Sequence, residues 1–284
     1  MPIEVKNLNY VYMQGTPFES HALKDICLNV QDGEFIGIIG HTGSGKSTLI
    51  SHLNALNKPA AGTVFVNGMD LGSKDADLKM IRRTVGLVFQ YPENQLFEET
   101  VARDIAFGPK NLKLDEKEIA ARVRSAMSAV GLDAALAEVS PFDLSGGQKR
   151  RVAIAGVLAM EPSVLILDEP AAGLDPEGRR GMLDLIRRIH ARGVTVIMVS
   201  HSMDDVGRLC DRLYVLEYGK IAFSGTPCEV FRHADELRAI GLDVPECAKL
   251  VRRLREKGFD IPEDLYAIED VEKCILNLLK GKGA

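Results

Sequence analysis

One stretch of sequence decides the fold of this chain: Gly40-His41-Thr42-Gly43-Ser44-Gly45-Lys46-Ser47-Thr48. Its first eight residues form a complete G-x-x-x-x-G-K-S phosphate loop, the pattern of P-loop proteins. The glycines let backbone N–H groups converge on phosphate oxygens, the lysine neutralises the outer phosphates, and the serine hydroxyl suits Mg²⁺. The stretch alone therefore predicts a site for a nucleoside triphosphate and Mg²⁺ between a strand and a helix.

The sequence on both sides of the loop alternates between predicted strands and helices. The apolar run 35–39 feeds the loop as a strand, and a helix begins near Lys46 with Leu49, Leu53 and Leu56 on one face. Further along, the predicted strands are 164–167, 194–200 and 213–216, and the helices between them are 176–190 and 203–209. Such alternation favours an α/β fold with a parallel sheet.

The pattern divides the chain into a nucleotide-binding cassette, residues 1–224, and a C-terminal helical extension, residues 225–284. Residues 1–39 predict an N-terminal β subdomain, and helical periodicity over about 90–160 predicts a helical subdomain inserted in the core. Within it, Asp115 and Glu118 resemble a capping box, and Gly131 ends the helix. The apolar stripe of the extension either packs on its own core or forms a subunit contact.

Composition excludes several classes of protein. The chain has 284 residues and a formal net charge of -5, with lysine and arginine scattered, which disfavours a nucleic-acid partner. Its five cysteines form no C-x-x-C pair and predict reduced thiols in the cytosol. There is no signal-peptide pattern, and no apolar run approaches the roughly 20 residues of a membrane helix. If the protein works at a membrane, another chain holds it there.

A second phosphate-binding element lies downstream, at Leu144-Ser145-Gly146-Gly147-Gln148. It offers a serine hydroxyl and glycine N–H groups at a predicted helix N-terminus, where the helix dipole favours anions. It has no lysine of its own. This element therefore looks built for a nucleotide held by another chain.

Two adjacent carboxylates, Asp168 and Glu169, end the apolar strand that begins at Val164. Neighbours on a strand face opposite ways, so we expect the two acids to do different work. Asp168 would hold Mg²⁺ together with Ser47, and Glu169 would polarise a water that attacks the γ-phosphate. The alternative is an apolar strand that ends in a solvated turn.

Three further candidates carry little information one by one. His201 follows a predicted strand, Gln90 ends another, and Tyr12 lies near the N-terminus. A lone histidine or glutamine there is usually structural, and a tyrosine in a strand is usually half-buried packing. Their order along the chain gives them significance.

Along the chain the candidate elements are Tyr12, the phosphate loop, Gln90, L-S-G-G-Q, the strand end at Asp168 and Glu169, the G-L-D turn 173–175 and His201. This order resembles the nucleotide-binding subunit of ATP-binding cassette (ABC) transporters, over residues 3 to about 225. The resemblance implies a head-to-tail dimer in which each ATP lies between the phosphate loop of one subunit and the L-S-G-G-Q of the other. It implies that Tyr12 stacks on adenine, that Ser47, Gln90 and Asp168 serve Mg²⁺ and water, and that Glu169 is the general base. It further implies that His201 contacts the γ-phosphate. The remaining implied roles are a cap over the partner's ATP, at Ser145, Gly146, Gly147 and Gln148, and a contact across the dimer, at Asp175.

Residues 171–175 depart from the pattern, because they read A-A-G-L-D where many members have a serine before A-L-D. The aspartate is retained. The departure therefore concerns the fine tuning of the dimer contact rather than hydrolysis.

The segment Gln90-Tyr91-Pro92-Glu93-Asn94-Gln95-Leu96-Phe97-Glu98-Glu99-Thr100-Val101 resembles the ATPases of energy-coupling factor transporters, particularly the second of their two paralogues. That resemblance implies a second ATPase, a transmembrane coupling protein (T component) and a membrane protein that captures the substrate (S component). The substrate would be a vitamin or a cobalt or nickel ion, and the chain would lie on the cytoplasmic face of the membrane. The aromatic and apolar residues of this segment, with Phe107, would form an exposed docking surface.

Other ATPases share the same cassette. The chain could serve another ABC transporter, DNA repair or translation, or hold a dimer together without catalysis. DNA-repair ATPases carry long coiled coils between the two phosphate elements, and translation-associated proteins usually carry two cassettes. Here about a hundred mixed helical residues intervene, and each motif occurs once.

Overall fold

The phosphate loop follows an inner strand of a six-stranded sheet in the computed structural model, which describes residues 2–281. In spatial order the strands are β10 (Lys220–Gly225), β9 (Arg212–Glu217), β3 (Phe35–Gly40), β8 (Thr195–Val199), β7 (Val164–Asp168) and β6 (Val85–Val88). The five strands from β9 to β6 are parallel, which confirms the predicted sheet. Strand β10 was not predicted; it pairs antiparallel with β9 through a tight turn.

The inner strands are covered on both faces, as their continuous apolar sequences require. Every residue of β3, β7 and β8 is buried. Successive side chains of β3 alternate between two hydrophobic clusters, with Phe35 in one and Ile36 and Ile38 in the other. The strand that carries the phosphate loop is thus packed against a hydrophobic cluster on each face.

A second, antiparallel sheet forms the N-terminal β subdomain. Its spatial order is β2 (Ser20–Val30), β1 (Ile3–Tyr12), β4 (Ala61–Val66) and β5 (Met69–Asp70). Its apolar face shares one hydrophobic cluster with Ile36, Ile38 and helix α1 (Lys46–Leu53). Leu49 and Leu53 of α1 are buried, but the prediction for Leu56 was wrong: the helix ends earlier, and Leu56 is exposed.

The other helices follow in chain order. They are α2 (Leu78–Thr84), α3 (Val101–Asn111), α4 (Glu116–Ala129), α5 (Gly146–Leu158), α6 (Pro176–His190), α7 (Met203–Leu209), α8 (Pro227–Phe231), α9 (Ala234–Ala239), α10 (Glu246–Glu256) and α11 (Ile268–Gly281). A 3-10 helix, Pro92–Gln95, follows β6. No helix within residues 2–281 is long and apolar enough to span a membrane.

Helices α3, α4 and α5 pack on one another and form the inserted helical region. Asp115 caps α4 by accepting a hydrogen bond from the Glu118 amide at 2.9 Å. The capping box is incomplete, however, because the Glu118 carboxylate pairs with Arg122 and does not return to Asp115. The expected N-terminal cap is present, and the reciprocal bond is not.

The C-terminal extension packs in two different ways. Helices α8 and α9 contribute to the large cluster of the core, which continues as far as Val244. Helices α10 and α11 form a small cluster of their own around Val251, Ile261 and Val271. Four large apolar side chains of these two helices remain exposed: Leu250, Ile268, Leu276 and Leu279.

Candidate functional site

The phosphate loop turns sharply between β3 and α1 and folds around its own lysine. The Lys46 ammonium donates to the backbone carbonyls of Gly40 and His41, at 2.7 and 2.9 Å. Gly40 and Gly45 have positive φ, and a Cβ on either would lie within 2.6 Å of a backbone oxygen. Only glycine fits both positions, so the loop needs its glycines for shape as well as for phosphate.

Lys46 lies beside the two carboxylates that end β7. Burial lowers the pKa of the Lys46 ammonium below its usual value, and the charges of Glu169 and Asp168 oppose that shift. The sequence motifs 40–47 and 168–169 are thus brought to one place, at the carboxyl edge of the parallel strands.

Asp168 and Ser47 place two oxygen-bearing side chains at this edge. The Ser47 hydroxyl lies close to the Asp168 carboxylate. Burial raises the pKa of Asp168 above its usual value and the charge of Glu169 adds to the shift, while Lys46 and Ser47 oppose it. A hydroxyl and a carboxylate beside a phosphate loop are the donors that Mg²⁺ takes, with the rest of its shell from water and phosphate. The residues present therefore fit this ion.

Glu169 follows β7 directly and leaves the extended conformation of the strand. Its backbone has a φ of 50°, in the left-handed region that costs a non-glycine residue about 1 kcal/mol. Its amide still bonds to the Val199 carbonyl of β8 at 3.0 Å. Its carboxylate contacts His201 Nδ1 at 2.8 Å, with the imidazole 73% exposed and the carboxylate 13% exposed. The strained turn thus aims a shielded carboxylate at an open histidine.

A cavity of about 270 Å³ opens beside this pair. Gln90, Tyr91, Glu169 and His201 line it, together with the loop 170–174. Gln90 itself is exposed at the end of β6. The structure thus brings three predicted candidates, Gln90, Glu169 and His201, to one cavity.

Tyr12 lies at the end of β1, 42% exposed. Its hydroxyl is 3.2 Å from the Thr48 hydroxyl, which places its ring beside the first turn of α1. The ring of Tyr10 packs edge-on against it, with centroids 4.9 Å apart. A half-exposed ring held beside the phosphate loop is available to stack on a base.

The turn between β9 and β10 supports the phosphate loop from another side. The Gly219 amide donates to the Ser44 carbonyl at 3.0 Å, and the Gly219 carbonyl accepts from the Lys24 amide at 2.7 Å. The ring of Tyr218 packs on His41, with centroids 4.8 Å apart. One turn therefore ties the loop to the N-terminal sheet.

The L-S-G-G-Q element forms the N-terminus of α5. Ser145 accepts from the Gln148 amide, and the Gln148 side chain accepts from the Ser145 amide, which completes a capping box. Gly146 and Gly147 have helical backbones, and a Cβ on either would meet nothing within 4 Å. No described hydrogen bond or ion pair joins this element to the phosphate loop. Nothing in the described part of the chain explains why these two residues are glycines.

Asp175 is the N-cap of α6 and accepts from the Gly178 amide at 2.6 Å. It is exposed, at the end of the loop that lines the cavity. Arg179, one turn into α6, pairs with Asp205 of α7 at 2.8 Å. This pair holds α6 against the segment that follows His201.

Sequence reasoning missed an internal ion pair between Arg150 of α5 and Glu93 of the 3-10 helix. The pair is bidentate, at 3.0 and 2.7 Å, and the arginine side chain is only 4% exposed. Arg150 follows Gln148 by two residues, and its place on an apolar helix is the only signal in the sequence. Its partner lies 57 residues away, so no local pattern could pair them.

The fold and this site define a class of protein, the ATP-binding cassette ATPase. A parallel sheet carries the phosphate loop, two carboxylates end the strand two positions away in the sheet, and a helical insert presents L-S-G-G-Q apart from them. Comparison with known proteins agrees, since residues 23–172, just over half of the chain, match the ABC transporter family.

Full-length relatives are more specific. The energy-coupling factor transporter ATP-binding protein EcfA2 of Caldanaerobacter subterraneus subsp. tengcongensis is 55% identical over 282 residues, 99% of each chain. The protein of that name from Clostridioides difficile is 54% identical over 286 residues, 100% of this chain and 99% of its own. The chain therefore belongs to the ABC transporter family as an ATP-hydrolysing subunit, in the branch of the energy-coupling factor ATP-binding proteins. The predicted resemblance to the second paralogue is confirmed.

Solved structures support the same assignment. The structure of cbiO1 from Clostridium perfringens, described as part of the ABC transporter complex cbiONQ, is 40% identical with a TM-score of 0.74. It covers 90% of this chain and 97% of its own. The cassette MJ0796, solved as a dimer bound to ADP and Pi, is 30% identical with a TM-score of 0.70. It covers 79% of this chain and 98% of its own.

Proposed function

We propose that this chain hydrolyses ATP in a head-to-tail dimer with a second ABC ATPase subunit, either a copy of itself or a paralogue. The observation that carries the proposal is that the site is divided. Lys46, Asp168, Glu169 and His201 gather around the phosphate loop, whereas Gly147 faces open space on another element. A nucleotide on one subunit would complete its contacts with the L-S-G-G-Q of the other.

Different residues around the phosphate loop bind the base, the phosphates and the metal ion. Tyr12 stacks on adenine, and Lys46 with the loop amides binds the phosphates. Ser47, Asp168 and Gln90 would hold Mg²⁺, which would supply positive charge to offset the charge of the phosphates. For Ser47 and Asp168 the fit rests on the closeness of the hydroxyl to the carboxylate.

Glu169 acts as the general base for the attacking water. Its carboxylate is shielded, lies at the cavity wall and is oriented by His201 at 2.8 Å. The exposed face of His201 then contacts the γ-phosphate, and Asp175 contacts the partner subunit from the cap of α6. ATP favours the closed dimer because it binds both subunits, and hydrolysis lets the dimer reopen.

The chain works on the cytoplasmic face of the membrane, held there by a transmembrane coupling protein (T component) that also carries a substrate-capture protein (S component). An exposed aromatic surface supports this: Tyr91, Phe97 and Phe107 are each more than 40% exposed, and the two phenylalanine rings pack edge-on at 4.9 Å. The sequence-based expectation that Leu96 belongs to that surface was wrong, because Leu96 is buried in the core. The transported substrate would be a vitamin or a cobalt or nickel ion.

The C-terminal extension adds a second contact between ATPase subunits. Helices α10 and α11 bury few side chains between themselves, and a nearly apolar cavity of about 280 Å³ opens beside Leu250, Ile268 and Leu276. An apolar surface of this kind on a small helical unit favours an interface.

A test of the function uses the complex purified from membranes with its partners. Glu169→Gln should keep MgATP binding and lower turnover by about 10²–10⁴-fold, the range of a lost general base. The matched control is Glu4→Gln, which changes a carboxylate on β1 that pairs only with Lys6 in the described structure. Near-normal turnover in Glu169→Gln, or absence of membrane partners in the purified complex, would contradict the proposal.

A further inference from the structure

Arg150 is a buried cation that joins three segments of the molecule. Its Nε and Nη2 donate to the two carboxylate oxygens of Glu93 at 3.0 and 2.7 Å. Its Nη1 donates to the backbone carbonyls of Pro170 and Ala172 at 3.1 and 2.8 Å. One guanidinium thus holds the 3-10 helix, the loop after β7 and its own helix α5 together.

Each of these three segments carries a residue of the proposed active site. Glu93 follows Gln90 by three residues, and Pro170 follows Glu169 directly. Ser145, the N-cap of α5, precedes Arg150 by five residues, which is about 7.5 Å along a helix. A helix transmits displacement along its axis, so a shift of Arg150 would also move Ser145.

The contact geometry suits arginine alone. A planar guanidinium presents several N–H donors in a fixed fork, which can meet a carboxylate with one edge and carbonyls with the other. Lysine offers a single nitrogen and cannot reach all four acceptors. Burial alone would raise the pKa of Glu93, but hydrogen bonds from Arg150 and from the backbone outweigh it and lower that pKa below its usual value. The Glu93 carboxylate is therefore ionised at neutral pH.

A second contact joins the same segments. Tyr91, which begins the 3-10 helix, has a φ of 54° in the left-handed region. Its Cε1 lies 3.8 Å from where a Cβ on Gly173 would stand. The segment after Gln90 therefore lies beside the loop after Glu169 at the ring of Tyr91, and Arg150 links the two.

We propose that Arg150, held by Glu93, is a positioning residue that sets Ser145 and Glu169 according to the position of segment 91–97, which carries the exposed rings of Tyr91 and Phe97. The proposal rests on the proposed function, because it assigns these residues to one hydrolytic cycle. A docking partner that moves the 3-10 helix would shift Glu169 in this chain's own ATP site and, at the same time, Ser145 in the site that this chain completes on the other subunit. The 3-10 helix would then govern turnover rather than ATP affinity.

The chain offers a matched control in Arg122 of α4. It is also a nearly buried arginine, 9% exposed, and it pairs with Glu118 and Glu161 at 2.7 and 2.9 Å. Its third acceptor is the carbonyl of Ala159, at the far end of α5 from Ser145. It joins no loop that carries a candidate catalytic residue, so its loss reports the structural cost alone.

The experiment compares Arg150→Lys with Arg122→Lys in the complex with its membrane partners, and measures kcat and KM for MgATP together with Tm. We expect both variants to lower Tm similarly. Arg150→Lys should lower kcat about tenfold with KM within about twofold, since small misplacement of reacting groups has effects of this order or more. Arg122→Lys should leave kcat within about twofold. Equal kcat in the two variants, or a change confined to KM, would overturn the proposal.

Glu93→Gln keeps the shape of the pair and provides a milder variant. Because Glu93 acts through Arg150, the double variant Glu93→Gln/Arg150→Lys should lose no more kcat than Arg150→Lys alone. Independent, multiplied losses would show that the two residues act separately and would overturn the proposal.

Amide hydrogen exchange separates this inference from the proposed function. Arg150→Lys should speed exchange several-fold at residues 146–148 and 169–174 of the nucleotide-free complex, and Arg122→Lys should not. A wild-type complex without ATP turnover would refute the proposed function whatever the exchange result. Unchanged exchange in Arg150→Lys would refute the positioning role even in an active complex.

Discussion

Replacing Gly147 by alanine tests whether the chain itself needs glycine at the start of α5, or whether glycine leaves room there for a nucleotide. Gly147 is the second residue of α5, with a helical backbone, and a Cβ on it would meet no atom within 4 Å. Glycine-to-alanine changes at compatible positions stabilise a protein by about 0.4–1 kcal/mol. We therefore expect Gly147→Ala to raise Tm by about 1–4 °C, given about 2–4 °C per kcal/mol in chains approaching this size.

The same substitution should impair ATP hydrolysis. If the phosphates of the partner's ATP approach this backbone, a methyl group displaces them and weakens donors that act in the transition state. Loss of one such donor costs about 10²-fold or more, so we expect turnover of the dimer to fall by about 10–100-fold. Stability and activity would then change in opposite directions.

Gly156→Ala is the matched control, because it lies in the same helix and its Cβ would make ordinary contacts at 3.9 Å. It should stabilise the chain and leave turnover unchanged. Tm by calorimetry and phosphate release by the complex are the two measurements. Full turnover in Gly147→Ala would refute the reasoning that this surface receives a nucleotide, and a lower Tm would show that the glycine is needed within the chain.

Three further substitutions test single residues. Asp168→Asn should raise Tm at pH 7. The pKa of Asp168 is raised in the folded chain, so its charge opposes folding above that pKa and ceases to do so below pH 3.8. The same variant should weaken Mg²⁺-dependent ATP binding, measured by titration. Glu93→Gln should lower Tm at pH 7, and its Tm should approach that of the wild type as pH falls below 4.5. The reason is that a carboxyl group with a lowered pKa stabilises the fold only where it is ionised. A Tm difference that stays constant between pH 7 and pH 4 would contradict this. Tyr12→Phe should keep ATP affinity within about twofold. Tyr12→Ala should lower ATP affinity by about 5–100-fold, the range of one base stack. Equal losses of affinity in the two variants would point to the hydroxyl contact with Thr48 instead.

Sequence patterns predicted the elements whose signals are local. The phosphate loop, the strand that ends at Asp168 and helix α6 depend on short motifs or a continuous apolar period, and each lies where it was expected. Strand β10 was missed because its residues alternate between exposed and half-buried, as expected at a sheet edge, and its pairing depends on β9. Leu56 was misplaced because α1 ends at Leu53, a stop that no glycine or proline marks.

The candidate site shows the same contrast between features with local sequence signals and features that depend on the tertiary fold. The motifs predicted which residues gather around the phosphate loop, because strand ends in a parallel sheet meet at one edge. No pattern could predict that Glu169 would take a left-handed backbone and meet His201, or that Arg150 would reach Glu93 across 57 residues. Such pairs form between segments that are distant in sequence, so they depend on the tertiary fold.

The turn at Tyr218 and Gly219 has a practical consequence for anyone who labels this protein. Hairpin tips are usually safe places to insert a peptide tag or fluorophore. Here the tip holds the Ser44 carbonyl and Lys24 amide, so an insertion would loosen the phosphate loop without touching it. The turn at Gly15 offers a safer place, because a side chain there would meet nothing within 4 Å, although its positive φ favours insertion beside the glycine over its replacement.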